Sequence, residues 1–415
     1  MNNKILSLLL VLTLSLSFQG CRSLGRNNDL QEQSYPEQAD DQRAFEEGSN
    51  DDQPAEHYTG VSAGQPQQIA LLLPLSGKNA DSAKAIQAGF FASYYDHAGK
   101  KPNVKVYDTT KGDIQQVYET AVHEGADFVV GPLAKEDVQR LGSVSHRLRT
   151  PVLALNYHPS VRASNKFAQF ALTPEAEADQ LADKAWQKGL RSASLIAQDN
   201  AWGRRVTSAF SQRWQSLGGR IIHTVYTNPS ADQSAAVQRL LGVDQSQKRA
   251  NHIKALLTEK VEFKPRRRQD VDVIIMAATP DQARQLKPLL DFYYAEDIPV
   301  YATSSIYNGH PNARRDRDLN GIVFGDMPWM IDSQRGNKMQ QLLSRNGASQ
   351  SDQYNRLFAM GVDAYQLTSH YGLLQSNPAA HYPGNTGNLS LGTQNQIERK
   401  LSWAKMVNGV PTPIN

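Results

Sequence analysis

Three turns in this sequence gather hydroxyls and free backbone N–H groups where an α/β protein would present them to a ligand. They are Leu75-Ser76-Gly77, Gly131-Pro132 and Thr303-Ser304-Ser305. Each follows a short apolar run that reads as a parallel strand, so each falls at a strand's carboxyl end, facing a crevice between lobes. Ser76, Gly77, Gly131, Pro132, Thr303, Ser304 and Ser305 would suit a carboxylate or a sugar there. The same residue types also make ordinary turns and helix caps. No paired Arg and Asp is evident that would add a charged clamp.

Other chemistry is sparse. The sequence has no nucleotide-binding glycine loop, nucleophile elbow or paired metal-binding histidine motif. His123-Glu124 is followed by Asp127, not by a histidine four residues on, and reads as a solvated helix end. Ten histidines are scattered singly, and one cysteine cannot build a Cys/His zinc cluster. The expectation is a protein without catalytic residues, cofactor or metal, and not an enzyme. The run Lys264-Pro265-Arg266-Arg267-Arg268 lacks the interleaved aromatics of a nucleic-acid surface. It reads as a charged connector ahead of a buried strand, with Arg266, Arg267 and Arg268 as candidates for a contact with an acidic partner or between lobes.

The elements that would position these groups are organised around Asp270–Gly309. The apolar run Val271 to Ala278 is too short for a buried helix and lacks alternation, as a central parallel strand does. Thr279-Pro280 then provides a helix cap and a first-turn proline. Ala283, Leu286, Leu290 and Tyr293 share one helical face, and Ile298–Ala302 makes the next strand. Upstream, the same strand–helix alternation runs from Gln68, with a fresh start at Thr173-Pro174. This predicts two α/β lobes, about 67–172 with 301–382 and about 173–300 with 383–415. Residues Leu389–Ile414 read as a hairpin of two strands appended to one lobe.

The amino-terminal part is different. Residues 1–20 read as a signal peptide, with Lys4 ahead of the apolar run Ile5 to Phe18. Cys21 follows a small residue and reads as a lipidation site, which would anchor the chain in a membrane. Arg22 after it, rather than aspartate, suggests the outer membrane. Residues 21–66 read as a lipid-bearing acidic tether: 22–66 hold ten acids and three arginines and little that could form a core. A coil of this length spans about 37 Å root-mean-square. Residues 67–415 hold 40 basic against 31 acidic side chains, a net +9. A basic body favours anionic surroundings without naming a partner.

The stretch IALLLPLSGKNADSAKAIQAGF, then VVGPL and the two-lobed alternation, resembles the type I periplasmic solute-binding fold. Residues 266–309 followed by DRDLNGIVFGDMPWMI (Asp316–Ile331) resemble the C-terminal domain of the LpoA family of penicillin-binding protein activators. Glu398-Arg399-Lys400-Leu401-Ser402-Trp403 agrees. The resemblance implies an outer-membrane lipoprotein that stimulates a class A penicillin-binding protein, a bifunctional peptidoglycan synthase, with the solute-binding fold reused for protein contact. The family commonly carries a helical-repeat domain ahead of this one, where this sequence has the acidic tether. Two alternatives stand beside it. One is a periplasmic receptor lipoprotein for a small molecule such as an amino acid or muropeptide. The other is a purely structural protein associated with peptidoglycan.

Overall fold

In a computed structural model of the chain, the described residues are 65–162, 164–257, 262–345 and 352–414. The expected signal peptide, Cys21 and nearly all of the acidic tether lie outside them. The first lobe begins β1 (Gln68–Leu73), α1 (Ala80–Asp96), β2 (Asn103–Asp108), α2 (Ile114–His123) and β3 (Phe128–Val130). It continues through α3 (Lys135–Ser143), β4 (Val152–Ala154) and β5 (Phe167–Phe170). The second lobe takes over with α4 (Pro174–Gln187), β6 (Ser192–Gln198), α5 (Ala201–Ser216) and β7 (Arg220–Thr227). There follow α6 (Gln233–Leu241), α7 (Val243–Leu256), β8 (Val273–Ala277), α8 (Pro280–Phe292), β9 (Val300–Ala302), β10 (Val323–Asp326), α9 (Pro328–Ile331) and α10 (Ser333–Arg345). The chain then returns to the first lobe with α11 (Asp352–Ser376), β11 (Tyr382–Pro383), β12 (Asn388–Leu391) and β13 (Gln396–Lys400). It crosses once more for β14 (Ser402–Val407) and β15 (Val410–Ile414).

The two sheets are built alike. The first has order β11-β12-β13-β5-β4-β3-β1-β2 and the second β15-β14-β10-β9-β8-β6-β7. Each is parallel along most of its width and closes with antiparallel strands at one edge. β8 sits between β6 and β9 with all five residues buried, as its unbroken apolar run requires. The Thr279 hydroxyl accepts from the Gln282 N–H, and Pro280 occupies the first turn of α8. Thr173 caps α4 in the same way. Both helix starts are legible as a hydroxyl followed by proline.

Two expectations need correction. Residues 301–326 belong to the second lobe, not the first, because β9 pairs with β8 (Ile274 beside Val300) and β10 with β9. A strand delivered by its crossover helix completes the same sheet, so the lobe boundary cannot cut that unit. Residues 388–400 correspondingly belong to the first lobe. The closing stretch is two hairpins rather than one: β12–β13 extends the first sheet and β14–β15 the second, with Leu401 between them. Between β7 and β8 the chain forms two helices, α6 and α7, broken at Gly242, whose φ of 69° favours glycine.

The lobes share a core. Ala92 of α1 and Phe358, Ala359 and Val362 of α11 pack in one buried cluster with Trp329, Met330, Ile331 and Leu342 of the second lobe. Beneath that cluster α1 and α11 touch backbone to backbone. A Cβ on Gly89 would lie 1.9 Å from the Phe358 carbonyl oxygen, and one on Gly361 would lie 2.0 Å from that of Ile86. Residues 358–365 are all buried, so this helix lacks the one-sided stripe by which a surface helix announces itself.

Candidate functional site

Between the lobes lies a cleft of about 840 Å³. The first lobe lines it with Lys78, Asn79, Lys135, Asn156 and Tyr157. The second contributes Thr173, Glu175, Asp179 and Arg205, and α11 adds Leu357 and Met360. Glu175 in the first turn of α4 receives two hydrogen bonds from Arg205 of α5, at 2.6 and 2.8 Å. Burial raises the Asp179 carboxyl above its ordinary range. The walls carry both charge signs, without the one-sided excess that would select a simple anion or cation.

Seven residues were expected at this crevice, and the structure occupies most of their polar groups internally. The Ser76 hydroxyl shares a 2.8 Å hydrogen bond with that of Thr110, and exposed Gly77 opens the turn that leads to Lys78 and Asn79. Gly131 and Pro132 are buried. The Gly131 N–H donates to Leu153, the Pro132 carbonyl accepts from Leu155, and a Cβ on Gly131 would meet the Leu72 oxygen at 2.1 Å. The Thr303 and Ser305 hydroxyls bond each other at 2.6 Å, and Ser305 also donates to the Ala278 carbonyl. Ser304 donates both its N–H and its hydroxyl to Glu177 of α4, the latter at 3.2 Å. The cleft is lined by neighbours of these residues in sequence, Lys78, Asn79, Leu133 and Ala134 among them.

The carboxylate that this hydroxyl-rich turn could bind is therefore supplied by the protein itself. Burial pushes the Glu177 carboxyl up to about 7. The Ser304 N–H opposes that shift, the Asp326 carboxylate adds to it, and Arg356 and Arg399 oppose it. Beside Glu177, Arg356 near the start of α11 grips Asp326 of β10 with both terminal nitrogens, one contact measuring 2.9 Å. The Asp326 side chain is wholly buried. Arg356 also donates to the carbonyl oxygens of Ser304 and Tyr307. A charged clamp does exist, but its halves are thirty residues apart on different elements, so nothing local in the sequence marks it.

Two further polar groups hold the closing segments of the chain, Asp363 within the first lobe and Gln180 at the crossing between lobes. Asp363 of α11, fully buried, accepts from the N–H groups and side chains of Asn385 and Thr386 at 2.7–2.9 Å. Burial raises its carboxyl, and these four donors oppose the shift. Gln180 of α4 donates to the Arg399 carbonyl at 2.8 Å and accepts from the Leu401 N–H at 2.9 Å. It thus holds the strand crossing from both sides. Sequence reasoning missed Glu177, Gln180, Arg356 and Asp363. The one available signal was a charged residue inside an otherwise apolar run, as Asp363 is in Met360–Tyr365.

Of the basic run, Arg267 is only 11% exposed and bonds the Tyr294 carbonyl and Asp297, each at 2.5 Å. Arg268 pairs with Asp270 at 2.7 and 2.9 Å. Arg266 is exposed. At the end of α2, Glu124 is held by Lys105 and the Tyr107 hydroxyl, as a helix-end residue and not as a ligand.

A family profile described as "LppC putative lipoprotein" matches residues 56–409. The chain is 29% identical over 349 residues to penicillin-binding protein activator LpoA of Vibrio antiquarius (strain Ex25), covering 82% of this chain and 57% of that protein. It is 29% identical over 367 residues to the protein of the same name from Photobacterium profundum, covering 86% and 59%. The chain thus spans under two thirds of the length of these curated relatives. Among solved structures, the LpoA (YraM) C-domain from Haemophilus influenzae, described as a regulator of PBP1A, superposes with a TM-score of 0.65. It is 28% identical, covering 84% of this chain and all of that one. A "putative branched-chain amino acid ABC transporter" from Chromobacterium violaceum ATCC 12472 follows at 0.61 and 25% identity, covering 82% and 99%. The fold is the two-lobed type I periplasmic-binding-protein fold.

Proposed function

The chain belongs to the LppC lipoprotein family, and on that premise we propose that it is a non-enzymatic activator of a class A penicillin-binding protein. In this reading, acylated Cys21 holds it at the outer membrane and the acidic tether lets the two-lobed body reach a synthase in the periplasm. The body binds the synthase's active conformation more tightly than its resting one, and stimulates only by that difference in affinity. Confinement of both proteins to one narrow compartment raises their effective concentration, so a weak interface suffices.

The observation that favours protein contact over solute capture is the internal carboxylate. Glu177 takes the N–H and hydroxyl of Ser304, so the strand-end donors are committed before any ligand arrives. The test is glycan-strand polymerisation by the synthase with and without the full chain. Stimulation accompanied by a measurable complex supports the activator; an unchanged rate with no complex sinks it.

The second reading, a solute receptor, is favoured by the cleft of about 840 Å³ with Lys78, Lys135 and Asn156 on its wall. Thermal-shift screening against amino acids, muropeptides and sugars separates the two. A true ligand at a hundredfold excess over its dissociation constant stabilises by about 2.7 kcal/mol.

A further inference from the structure

Helix α7 carries an apolar stripe at helical spacing that outruns the lobe beneath it. Val243, Ser246 and Ala250 are buried on this stripe, and the next positions on the same face, Ile253 and Leu257, are each 50% exposed. The chain then returns alongside α7. The Arg266 N–H donates to the Ser246 hydroxyl at 3.2 Å and the Arg268 N–H to the Leu241 carbonyl at 2.8 Å. A groove of about 570 Å³ lies between the helix and this returning strand of chain, with Ala250, Ile253 and Phe263 among its lining. Six of the nine exposed large hydrophobic side chains among the described residues lie on this helix, on the segment after it, or at the end of neighbouring α8: Ile253, Leu256, Leu257, Phe263, Phe292 and Tyr294. Arg267, which lines the groove, ties the two parts together through the Tyr294 carbonyl.

The groove's charge is as lopsided as its apolar content. Arg267 and Arg268 are committed to Asp297 and Asp270. Arg249, Lys254 and Arg266 also line the groove, are exposed, and form no ion pair with any described residue. Three uncommitted cations around an apolar trough complement a segment that carries both acidic and apolar side chains. An anionic membrane is the other surface of that charge, but it presents a broad plane and engages a projecting apolar face. Here Ala250, Ile253 and Phe263 line a trough.

We propose that this groove docks an acidic, apolar-bearing segment of the synthase, and that it is the chain's principal contact with its partner. The inference rests on the activator reading and adds to it the surface and the chemistry of the contact. Crosslinking of the full chain to the purified class A synthase tests it, with a photoreactive residue replacing Ile253 or, as a control on the first lobe, exposed Tyr95. In parallel, the affinity of the complex is measured at two salt concentrations. The expected result is an adduct from position 253 and none from 95. Arg249→Glu with Arg266→Glu weakens binding at least tenfold and lowers its salt dependence, whereas Lys84→Glu with Lys100→Glu does not. A complex that survives both double reversals equally, without an adduct at 253, overturns the groove and leaves the activator reading standing. Absence of any complex overturns both. Sedimentation with phosphatidylglycerol vesicles, using the Cys21→Ser chain, supplies the remaining outcome. Vesicle binding that Arg249→Glu with Arg266→Glu abolishes would assign the groove to a membrane and overturn the peptide proposal.

Discussion

The second lobe has an inner end, where its strands meet the first lobe, and an outer end, where α7 and residues 262–270 precede β8. At the inner end polar groups satisfy one another: Glu177 takes Ser304, Arg356 takes Asp326, and Gln180 takes both sides of the strand crossing. At the outer end Arg249, Lys254 and Arg266 stand around exposed Ile253 and Phe263 without an acid to pair with among the described residues. Where polar groups are buried, the fold must satisfy them itself. Where they stay exposed and uncommitted beside apolar surface, a partner can do so. In a solute-binding protein the inner end would hold the ligand, so in the activator reading the fold's working surface has moved from one end of the lobe to the other.

This contrast can be broken most severely at the inner end. Arg356→Ala would strand the buried Asp326 carboxylate and should cost about 3–5 kcal/mol in urea denaturation. A loss under about 1 kcal/mol would mean the inner network is not structural. Gly361→Ala drives a Cβ against the Ile86 carbonyl and should cost roughly 3 kcal/mol, since two helix backbones must separate. Both losses should leave the groove's chemistry intact in whatever fraction remains folded.

Glu177 gives a subtler test through pH. Its folded carboxyl titrates at about 7 against an ordinary value of 4.5, so in this window the folded state holds the proton that the unfolded state has released. The contribution of Glu177 to stability therefore falls as pH rises from 4.5 to 7 and levels off above, by up to about 3 kcal/mol at ~1.4 kcal/mol per unit. Glu177→Gln keeps an acceptor for Ser304 and should remove that part of the slope, gaining on the wild type as pH rises. Parallel pH profiles of the two proteins would contradict the assignment of Glu177 as buried and proton-retaining. The smallest effect belongs to the outer end. Arg249→Glu and Arg266→Glu should each change stability by less than about 0.5 kcal/mol. A larger loss would mean these cations are structural after all.

What the sequence disclosed was local. The strand β8 is a contiguous apolar run, and the starts of α4 and α8 are written as Thr-Pro, so each could be read within a few residues. The two-lobed sheet architecture followed from the alternation of such units. Where contacts join distant segments, the reading stopped. Thirty residues separate Arg356 from Asp326, and 127 separate Ser304 from Glu177. Helix α11 is buried around its whole circumference along Phe358–Tyr365, so its periodicity is hidden. The turn Asn408-Gly409 of the last hairpin was legible, but the change of sheets was not, because Lys400-Leu401-Ser402, where it happens, carries no Gly, Pro, Asn or Asp; Gln180 holds the crossing instead. The basic run was legible as a run, but not that Arg267 and Arg268 pair with nearby acids while Arg266 faces solvent.

The most direct measurement compares two altered proteins in one synthase assay. One carries Lys78→Ala with Lys135→Ala on the cleft wall, and the other carries Arg249→Glu with Arg266→Glu on the outer groove. Glycan polymerisation should be stimulated fully by the cleft variant and at most weakly by the groove variant, with both folded to the same melting temperature. Loss of stimulation from the cleft variant alone would return the working surface to the space between the lobes, and contact through the outer end would have to be abandoned.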